Sequence, residues 1–311
     1  MNNYKLLPAL ISLLHTRNLT ESAKTLNVTQ SAMSKTLSQI RDAFHDPILI
    51  REANHFVLTK RGEELKTQLP SLIQSLDNLY LPKKLDIAQC KRKFILASSD
   101  YVSQFILPDI CAKMVNSAPN ISIEYQLWQK NWLYELSQKP LDLVSTIADS
   151  VPENLYGKKM AEDELVVVMR KAHPKVASPF TLDDYTDSKH IVISGGGDKD
   201  SPIEAALSGQ GKTRNVFASV PFFQSAIELL LQTDAILTTP LHIAADFSHL
   251  HDLEIKPLPL DIKPHQYYIL WHAKNNLDPE HKWFREICYQ LFKAHLDTTI
   301  EYGLKLLKNS R

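Results

Sequence analysis

Two short helical patterns joined by a tight turn, within residues 18–44, constrain this chain of 311 residues more than any other feature. The second pattern places its apolar residues at spacings of four, three and four: Met33, Leu37, Ile40 and Phe44. This period predicts a helix with one buried face. The opposite face carries an amide, hydroxyls and cations with no carboxylate before Asp42, which suits contact with phosphates and base edges. The pair predicts a helix-turn-helix, and an αα-hairpin inside a core is the alternative.

Capping residues and polar spacing define the predicted reading face. Thr20 is predicted to cap the first helix and Thr29 the second, so the N-terminal amides of the second helix are free to meet phosphate. The second helix of such a motif enters the major groove N-terminus first. The residues expected to contact DNA from this face are Thr29, Gln30, Ser31, Ser34, Lys35 and Ser38. Gln30, Ser31, Ser34 and Lys35 are expected to read bases.

A hairpin is predicted directly after the second helix. Two β-prone runs, Ile48–Arg51 and Phe56–Leu58, flank a polar loop of hairpin length. A hairpin in this place is a wing beside the reading helix. Arg51 at its base, with Lys60 and Arg61 at the start of the next helix, is expected to hold the DNA backbone or minor groove.

These residues carry a resemblance to a known family. The matching runs are Leu19-Thr20-Glu21-Ser22-Ala23-Lys24, Leu26-Asn27-Val28-Thr29-Gln30-Ser31-Ala32-Met33-Ser34 and Leu58-Thr59-Lys60-Arg61-Gly62. They resemble the winged helix-turn-helix of LysR-type transcriptional regulators, and we assign it to residues 1–59. The run Asp46-Pro47-Ile48-Leu49-Ile50-Arg51 resembles the nodulation-regulator-like branch of that family. One departure is Ser31, where the family often has proline; serine is tolerated early in a helix, so the motif stands.

A leucine stripe follows the wing. Its members alternate spacings of four and three: Leu65, Leu69, Leu72, Leu76 and Leu79. A stripe this short also suits a core-facing helix, but after a DNA-binding domain it favours a dimerisation helix, because dimers read paired half-sites. We predict this linker helix over residues 60–82, kinked by Pro70, and a hinge over residues 83–93.

Charge divides the chain in the same way. Residues 1–93 contain 14 Lys and Arg against 8 Asp and Glu, whereas the remaining residues contain 21 against 27. A basic head on an acidic body favours a polyanionic partner for the head. The clusters Lys83-Lys84 and Lys91-Arg92-Lys93 lie near the boundary, and they suit a solvated linker as well as DNA contact.

From residue 94 onward, strand and helix patterns alternate. Strands are predicted at 94–97, 121–127, 141–147, 165–169, 190–194, 215–219, 235–239 and 266–271, with helices including 103–116 and 279–294. This alternation predicts an α/β fold with parallel sheets covered by helices. Two subdomains suit its length: residues 94–161 with 268–294, and residues 162–267. Residues 295–311 are predicted to form a short amphipathic helix or a fraying end.

This half resembles the effector domain of the same family, which has the two-subdomain shape of periplasmic binding proteins. Among the matching residues are Ser98-Ser99-Asp100-Tyr101-Val102, Leu141-Asp142-Leu143-Val144, Phe222-Phe223 and Thr238-Thr239-Pro240. The resemblance covers residues 3–294. It implies a fold of an N-terminal winged helix-turn-helix, a linker helix and an effector domain, and it implies dimers of dimers on a bent operator.

An effector site is expected between the subdomains, because ligands of open α/β sheets bind at strand ends and domain clefts. Ser98, Ser99 and Tyr101 follow the first strand, where hydroxyls and helix amides suit an anion; Asp100 would repel one and is expected to cap its helix. Trp128 is expected either to line the cleft or to cap the core. The resemblance adds Thr146, Phe222 and Phe223, although these aromatics also suit a core.

Several site classes are not favoured. His242, Asp246, His249, His251 and Asp252 match no metal-site spacing and are predicted to be solvated surface. The run Ser194-Gly195-Gly196-Gly197-Asp198 suggests an anion nest, but a flexible loop suits it better. No catalytic set has supporting context, so we expect neither an enzyme nor a cofactor.

The expected compartment is the cytoplasm. The three cysteines, Cys90, Cys111 and Cys288, form no CxxC pair and indicate a reducing environment. The polar N-terminus does not suit a signal peptide, and no apolar run has the length of a membrane span.

The sequence thus predicts a sequence-specific transcription regulator that binds double-stranded DNA and a small-molecule effector, with RNA polymerase as a further partner to consider. The alternative is a ligand-independent regulator that acts by occupying DNA or displacing other DNA-bound proteins. A solute-binding protein or enzyme of the same α/β shape is less favoured, because residues 1–80 have no place in it.

Overall fold

The protein is described from a computed structural model that covers residues 3–53, 55–81, 85–129, 132–133, 136, 138–148, 150–194 and 202–309. The chain divides into two compact units, Met1–Lys84 and Leu85–Arg311. Each unit is treated separately below. Asn54, Pro82, Lys83 and Lys84 lie outside the described residues, as do Gly195–Asp198 of the predicted flexible loop.

The first unit is a small helical domain with one hairpin. Its helices are α1 (Leu7–Thr16), α2 (Leu19–Thr25), α3 (Gln30–Phe44) and α4 (Lys60–Tyr80), and its strands are β1 (Leu49–Glu52) and β2 (His55–Leu58). The two strands pair antiparallel, from Leu49 opposite Leu58 to Glu52 opposite His55. The core contains the predicted face of α3, since Met33, Leu37 and Ile40 are all buried.

A polar network joins the hairpin to α4. Asp46 Oδ1 accepts hydrogen bonds from Ile48 N at 2.7 Å and from Thr59 Oγ1 at 2.6 Å. Thr59 Oγ1 in turn accepts from Gly62 N at 3.0 Å and caps α4. A Cβ on Gly62 would come within 2.7 Å of Ile48 O, so this turn of α4 needs glycine. Ile48 is fully buried at φ 60°, an uncommon conformation for a β-branched residue.

Helix α4 changes character along its length. Leu65 and Leu69 are buried in the core of the first unit. Beyond Pro70 the leucines of the stripe are exposed: Leu72 at 58%, Leu76 at 45% and Leu79 at 78%. The stripe therefore has two parts, because its first half belongs to the core of the first unit and its second half is an exposed apolar face.

The second unit alternates strands and helices. Its strands are β3 (Lys93–Ser98), β4 (Ser122–Leu127), β5 (Leu143–Ile147), β6 (Leu155–Asp163), β7 (Leu165–Arg170), β8 (Lys189–Ile193), β9 (Asn215–Val220), β10 (Ala235–Pro240), β11 (Leu253–Pro257) and β12 (His265–His272). Its helices are α5 (Asp100–Phe105), α6 (Leu107–Ser117), α7 (Leu182–Asp187), α8 (Pro202–Ser208), α9 (Phe223–Gln232), α10 (Leu241–Leu250) and α11 (Pro279–Asn309).

Over the described residues these strands form two five-stranded sheets. Sheet I has the order β4-β3-β5-β12-β6, and sheet II has the order β11-β7-β10-β8-β9. The chain passes from sheet I to sheet II at Glu164 and returns between Pro257 and His265. The α/β class is confirmed, but both sheets are mixed and not wholly parallel. Strand β3 runs parallel to β4 and β5, and β8 runs parallel to β9 and β10. In contrast, β12 runs antiparallel to β5 and β6, and β7 runs antiparallel to β10 and β11.

In the second unit four elements differ from the sequence prediction, and one of them is strand β11 (Leu253–Pro257), where no strand was predicted. Strand β6 was not predicted, because this largely exposed edge strand carries Lys158, Lys159 and Glu162 in place of an apolar alternation. The helix expected at 103–116 is two helices that meet at Ile106, and the second begins at Leu107 with Pro108 in its first turn. Residues 295–309 form no separate tail, because α11 runs from Pro279 to Asn309 without a break.

Candidate DNA interface and effector cavity

The predicted reading helix has the expected start. Thr29 caps α3 through its Oγ1, which accepts from Ala32 N at 3.2 Å. The preceding turn places Asn27 at φ 51°. Helix α2 differs from the prediction: its cap is Asn18, whose Oδ1 accepts from Thr20 N at 2.9 Å, so Thr20 is the second residue inside the helix.

The residues predicted to contact DNA are all exposed: Thr29, Gln30, Ser31, Ser34, Lys35, Ser38, Arg51, Lys60 and Arg61. Among the described residues, Lys35 and Lys60 have no ion-pair partner, whereas Arg61 pairs with Glu64 at 3.1 Å. Arg51 Nε reaches Ala53 O at 3.4 Å within the hairpin. The side chains predicted to contact DNA are thus accessible, and their contacts with DNA remain a prediction.

One cation of α3 has a structural role. Arg41 donates from Nε to Pro47 O at 2.9 Å and from Nη2 to Leu49 O at 2.8 Å. It therefore ties the C-terminal end of α3 to the chain that enters the hairpin, and its guanidinium is engaged within the unit.

The second unit encloses a cavity of about 790 Å³. Residues of both sheets line it, including six of the seven predicted effector residues: Ser98, Ser99, Tyr101, Trp128, Thr146 and Phe223. Phe222 is not among the lining residues and is 42% exposed. A cavity of this size is in the range of small-molecule sites.

Several lining residues are already engaged within the protein. Ser98 Oγ donates to Ser145 O at 2.9 Å, which joins β3 to β5. Tyr101 OH donates to Asp246 Oδ2 and lies 2.8 Å from His295 Nε2. Burial, followed by the Asp246 carboxylate, raises the pKa of Tyr101 well above its usual value, so this hydroxyl remains protonated.

Asp100 has a different partner from the one expected. Ser99, and not Asp100, occupies the N-cap position of α5. Asp100 Oδ2 instead accepts from Phe223 N at 2.7 Å, at the start of α9. Burial raises the pKa of Asp100, and the hydrogen bonds from backbone amides oppose that rise. Asp100 thus connects the sheet I helix α5 to the sheet II helix α9.

Sequence reasoning missed His242 as a cavity residue. His242 and Asp246 were expected on a solvated surface, but they are 2% and 9% exposed. His242 Nδ1 lies 2.6 Å from Asp163 Oδ2, which also accepts from His242 N at 3.0 Å. No local pattern could indicate this pair, because the residues lie 79 positions apart. Within the described ranges, no group of His, Cys, Asp and Glu could hold a metal ion.

Two buried polar atoms of the cavity wall have no hydrogen-bond partner among the described residues. They are Trp128 Nε1 and Thr239 Oγ1, on side chains that are 3% and 2% exposed. Such atoms are rare in native proteins because each carries an uncompensated desolvation cost. Both therefore suit a ligand that supplies the missing partner.

A winged helix-turn-helix in one unit and a ligand-sized cavity between two α/β sheets in the other define a transcriptional regulator with an effector domain. The chain belongs to the LysR family. Residues 4–63 match the bacterial regulatory helix-turn-helix protein of the lysR family, and residues 90–293 match the LysR substrate binding domain.

Relatives support the predicted branch. The chain is 27% identical over 281 residues to the HTH-type transcriptional regulator SyrM of Rhizobium meliloti (strain 1021), covering 90% of this chain and 86% of that protein. It is 28% identical over 291 residues to Nodulation protein D 2 of Rhizobium tropici, covering 92% and 91%. The resemblance to the nodulation-regulator-like branch is thereby confirmed.

Solved structures share the fold. A probable transcriptional regulator of Pseudomonas aeruginosa superposes with a TM-score of 0.59 at 25% identity, covering 92% of this chain and 97% of that one. Full-length OxyR of Pseudomonas aeruginosa gives a TM-score of 0.68 at 16% identity, covering 93% and 99%. None of the helices that the structure describes is both long and apolar enough to cross a membrane.

Proposed function

We propose that this LysR-family regulator senses a small molecule in the cavity between sheets I and II, and that ligand binding changes the geometry of its oligomer on DNA. The observation that carries the proposal is the cavity of about 790 Å³, with Trp128 Nε1 and Thr239 Oγ1 buried in its wall without a hydrogen-bond partner in the described part of the chain. A ligand acts in this way only if it binds one arrangement of the sheets better than another.

The reading of DNA rests on α3 and the hairpin. Gln30, Ser31, Ser34 and Lys35 are proposed to meet base edges, with Thr29 and Ser38 beside them. Arg51, Lys60 and Arg61 are proposed to hold backbone or minor groove. All nine side chains are exposed, which leaves them available for these contacts.

The oligomer is proposed to form through α4. Leu72, Leu76 and Leu79 are exposed at heptad spacing, and a second copy of the same face would cover them. A dimer through this helix, and a tetramer built from two dimers, is the proposed state in the cytoplasm. RNA polymerase is a further proposed partner.

The alternative is a ligand-independent regulator that acts by occupying DNA. In that case we expect the cavity to be filled by Tyr101, Phe222 or Trp128. Tyr101 and Trp128 instead line the open volume, and Phe222 lies outside the lining. This arrangement favours ligand sensing over occupancy.

The proposal is tested by footprinting the purified full chain on genomic DNA, followed by a thermal-shift screen of metabolites. Ligands that raise the melting temperature are then added to the footprint. We expect at least one of them to change the protected length or its hypersensitive sites. Thr146→Trp, which places bulk in the cavity, is expected to bind the same DNA but lose the response.

The control is Val216→Trp on β9, an exposed residue outside the cavity lining, which is expected to respond as the parent does. If metabolites raise the melting temperature but never alter the footprint, the occupancy model replaces ligand sensing.

A further inference from the structure

A buried carboxylate and imidazole meet where the chain passes from sheet I to sheet II. Asp163 is the last residue of β6, and His242 lies in the first turn of α10. Asp163 Oδ2 accepts from both His242 N and His242 Nδ1, at 3.0 and 2.6 Å. This carboxylate therefore caps α10 and fixes the orientation of the ring at the same time.

The imidazole is held on its faces as well. The ring of Tyr101 lies edge-on to it with centroids 5.1 Å apart, and the ring of Tyr267 lies edge-on at the same distance. A side chain with a fixed hydrogen bond and two aromatic contacts is preorganised, so it loses little freedom when a ligand binds.

The second ring nitrogen remains for the ligand. A carboxylate only accepts hydrogen bonds, so Nδ1 must carry a hydrogen and donate it to Asp163. His242 lines the cavity, and its Nε2 has no hydrogen-bond partner among the described residues. Nε2 accepts in the neutral ring and donates in the charged ring, and a ligand hydroxyl pairs with either form.

Charge around the cavity disfavours an anionic ligand. Asp163 and Asp246 are buried carboxylates behind the lining residues His242 and Tyr101, and each is paired with an imidazole, Asp163 with His242 and Asp246 with His295. Of the cations in the described lining, Arg214 is bound by Glu204 at 2.8 Å, and Lys263 is exposed. An anion would therefore lose its water without gaining an unpaired, buried lysine or arginine in the described lining.

The rest of the lining is mostly apolar. Aliphatic side chains from both sheets contribute, and the described members include Val102, Ile106, Ile191, Ile193, Ile243 and Leu296. An apolar wall with a few placed polar groups selects a ligand of the same pattern.

We infer that His242, positioned by Asp163, is the polar anchor of the cavity, and that its ligand is an uncharged, mainly apolar molecule carrying a hydroxyl. This inference rests on the proposed ligand sensing and deepens it by assigning the ligand class and a specificity residue.

The test compares three probes of one ring system by calorimetry on the full chain: 2-naphthol, 2-methoxynaphthalene and 2-naphthoate. One hydrogen bond contributes about 1 kcal/mol, so we expect 2-naphthol to bind about fivefold more tightly than the methyl ether. The carboxylate is expected to bind most weakly. His242→Phe, which keeps the ring and removes both nitrogens, is expected to abolish the preference for the hydroxyl.

A matched control lies on the same helix. His249 is exposed and stacks on Tyr302 with centroids 3.9 Å apart, so His249→Phe should keep the parent's order of affinities. His242→Gln, which retains a donor and an acceptor, should restore part of the preference. Melting curves of each variant establish that it is folded.

The assignment is overturned if 2-naphthoate binds best, if His242→Phe keeps the preference for 2-naphthol, or if the parent binds none of the probes. Failure of ligand sensing has a different signature: 2-naphthol binds and depends on His242, yet no ligand changes the DNA footprint.

Discussion

The reading helix and the effector cavity use polar side chains in opposite ways. On α3 the predicted DNA-contacting side chains are exposed, and Lys35 has no ion-pair partner among the described residues. Around the cavity, Ser98, Tyr101 and His242 are buried and hydrogen-bonded within the protein. A surface that meets a large polyanion keeps its groups available in water, whereas a small site fixes most of its groups and leaves a few for the ligand.

This difference predicts which polar side chains affect binding alone and which also affect stability. An exposed polar group can be removed with little effect on folding, because water already satisfied it. A buried and paired group cannot, because its partner is left without a hydrogen bond. Recognition of DNA and stability should therefore vary independently in the first unit, and they should be coupled in the second.

The largest expected effect on stability comes from Arg41, which differs from the other polar residues of α3. Arg41 is paired, unlike its polar neighbours, so Arg41→Ala removes two charge-assisted hydrogen bonds to Pro47 O and Leu49 O. We expect the free energy of unfolding of the first unit to fall by about 3 kcal/mol. Ser38→Ala, three residues earlier, should change it by less than about 0.5 kcal/mol. Urea unfolding of both variants measures the two free energies. Equal stabilities would contradict the distinction between paired and exposed polar side chains on α3.

A smaller effect is expected on the cavity side. Tyr101→Phe keeps the ring but removes the hydroxyl that bonds Asp246 and His295. We expect a loss of about 2 kcal/mol in the second unit, because a buried carboxylate loses a donor. Tyr156→Phe serves as the control, since that side chain is 48% exposed. Thermal unfolding of the two variants tests whether the cavity hydroxyl contributes to stability. Equal melting temperatures for Tyr101→Phe and Tyr156→Phe would show that it does not.

The smallest effects on stability are expected from substitutions that change DNA affinity alone. Lys60→Ala should weaken binding by about 1 kcal/mol on cognate and random DNA alike, and reduce the salt slope by about one. Arg61→Ala should do less, because Glu64 already pairs with Arg61. Gln30→Ala should cost about 1 to 3 kcal/mol at cognate sites only. Fluorescence anisotropy over a salt series separates these patterns, and a loss confined to cognate DNA for Lys60→Ala would reassign Lys60 as a base reader.

Local patterns were sufficient for α3 and its buried face in the first unit. Helical period placed Met33, Leu37 and Ile40 in its core, and Thr29 was recognised as a cap from its position before α3. These features depend on residues within four positions of each other, which sequence spacing records directly. The cap of α2 was misassigned by two residues because Asn18 and Thr20 are both good capping types.

Long-range pairings set the rest, and spacing does not record them. The antiparallel placement of β12 between β5 and β6 depends on strands that lie over a hundred residues apart. The bond from Asp100 to Phe223 N and the pair of Asp163 with His242 likewise join distant segments. The cavity residues after the first strand were predictable because ligand sites gather at strand ends, whereas His242 had no such signal.

Helix α11 spans the second unit and packs against both of its halves. Its first half packs on sheet I, where Phe284 stacks on Phe94 with centroids 4.4 Å apart. Its second half lies on α10, where Gly303 lets Leu241 approach so closely that a Cβ would meet Leu241 Cγ at 2.6 Å. A helix of 31 residues is about 46 Å long and resists bending. Relative motion of the two sheets must therefore turn about α11 or slide along it. The helix thus restrains a wide opening of the cavity between the sheets.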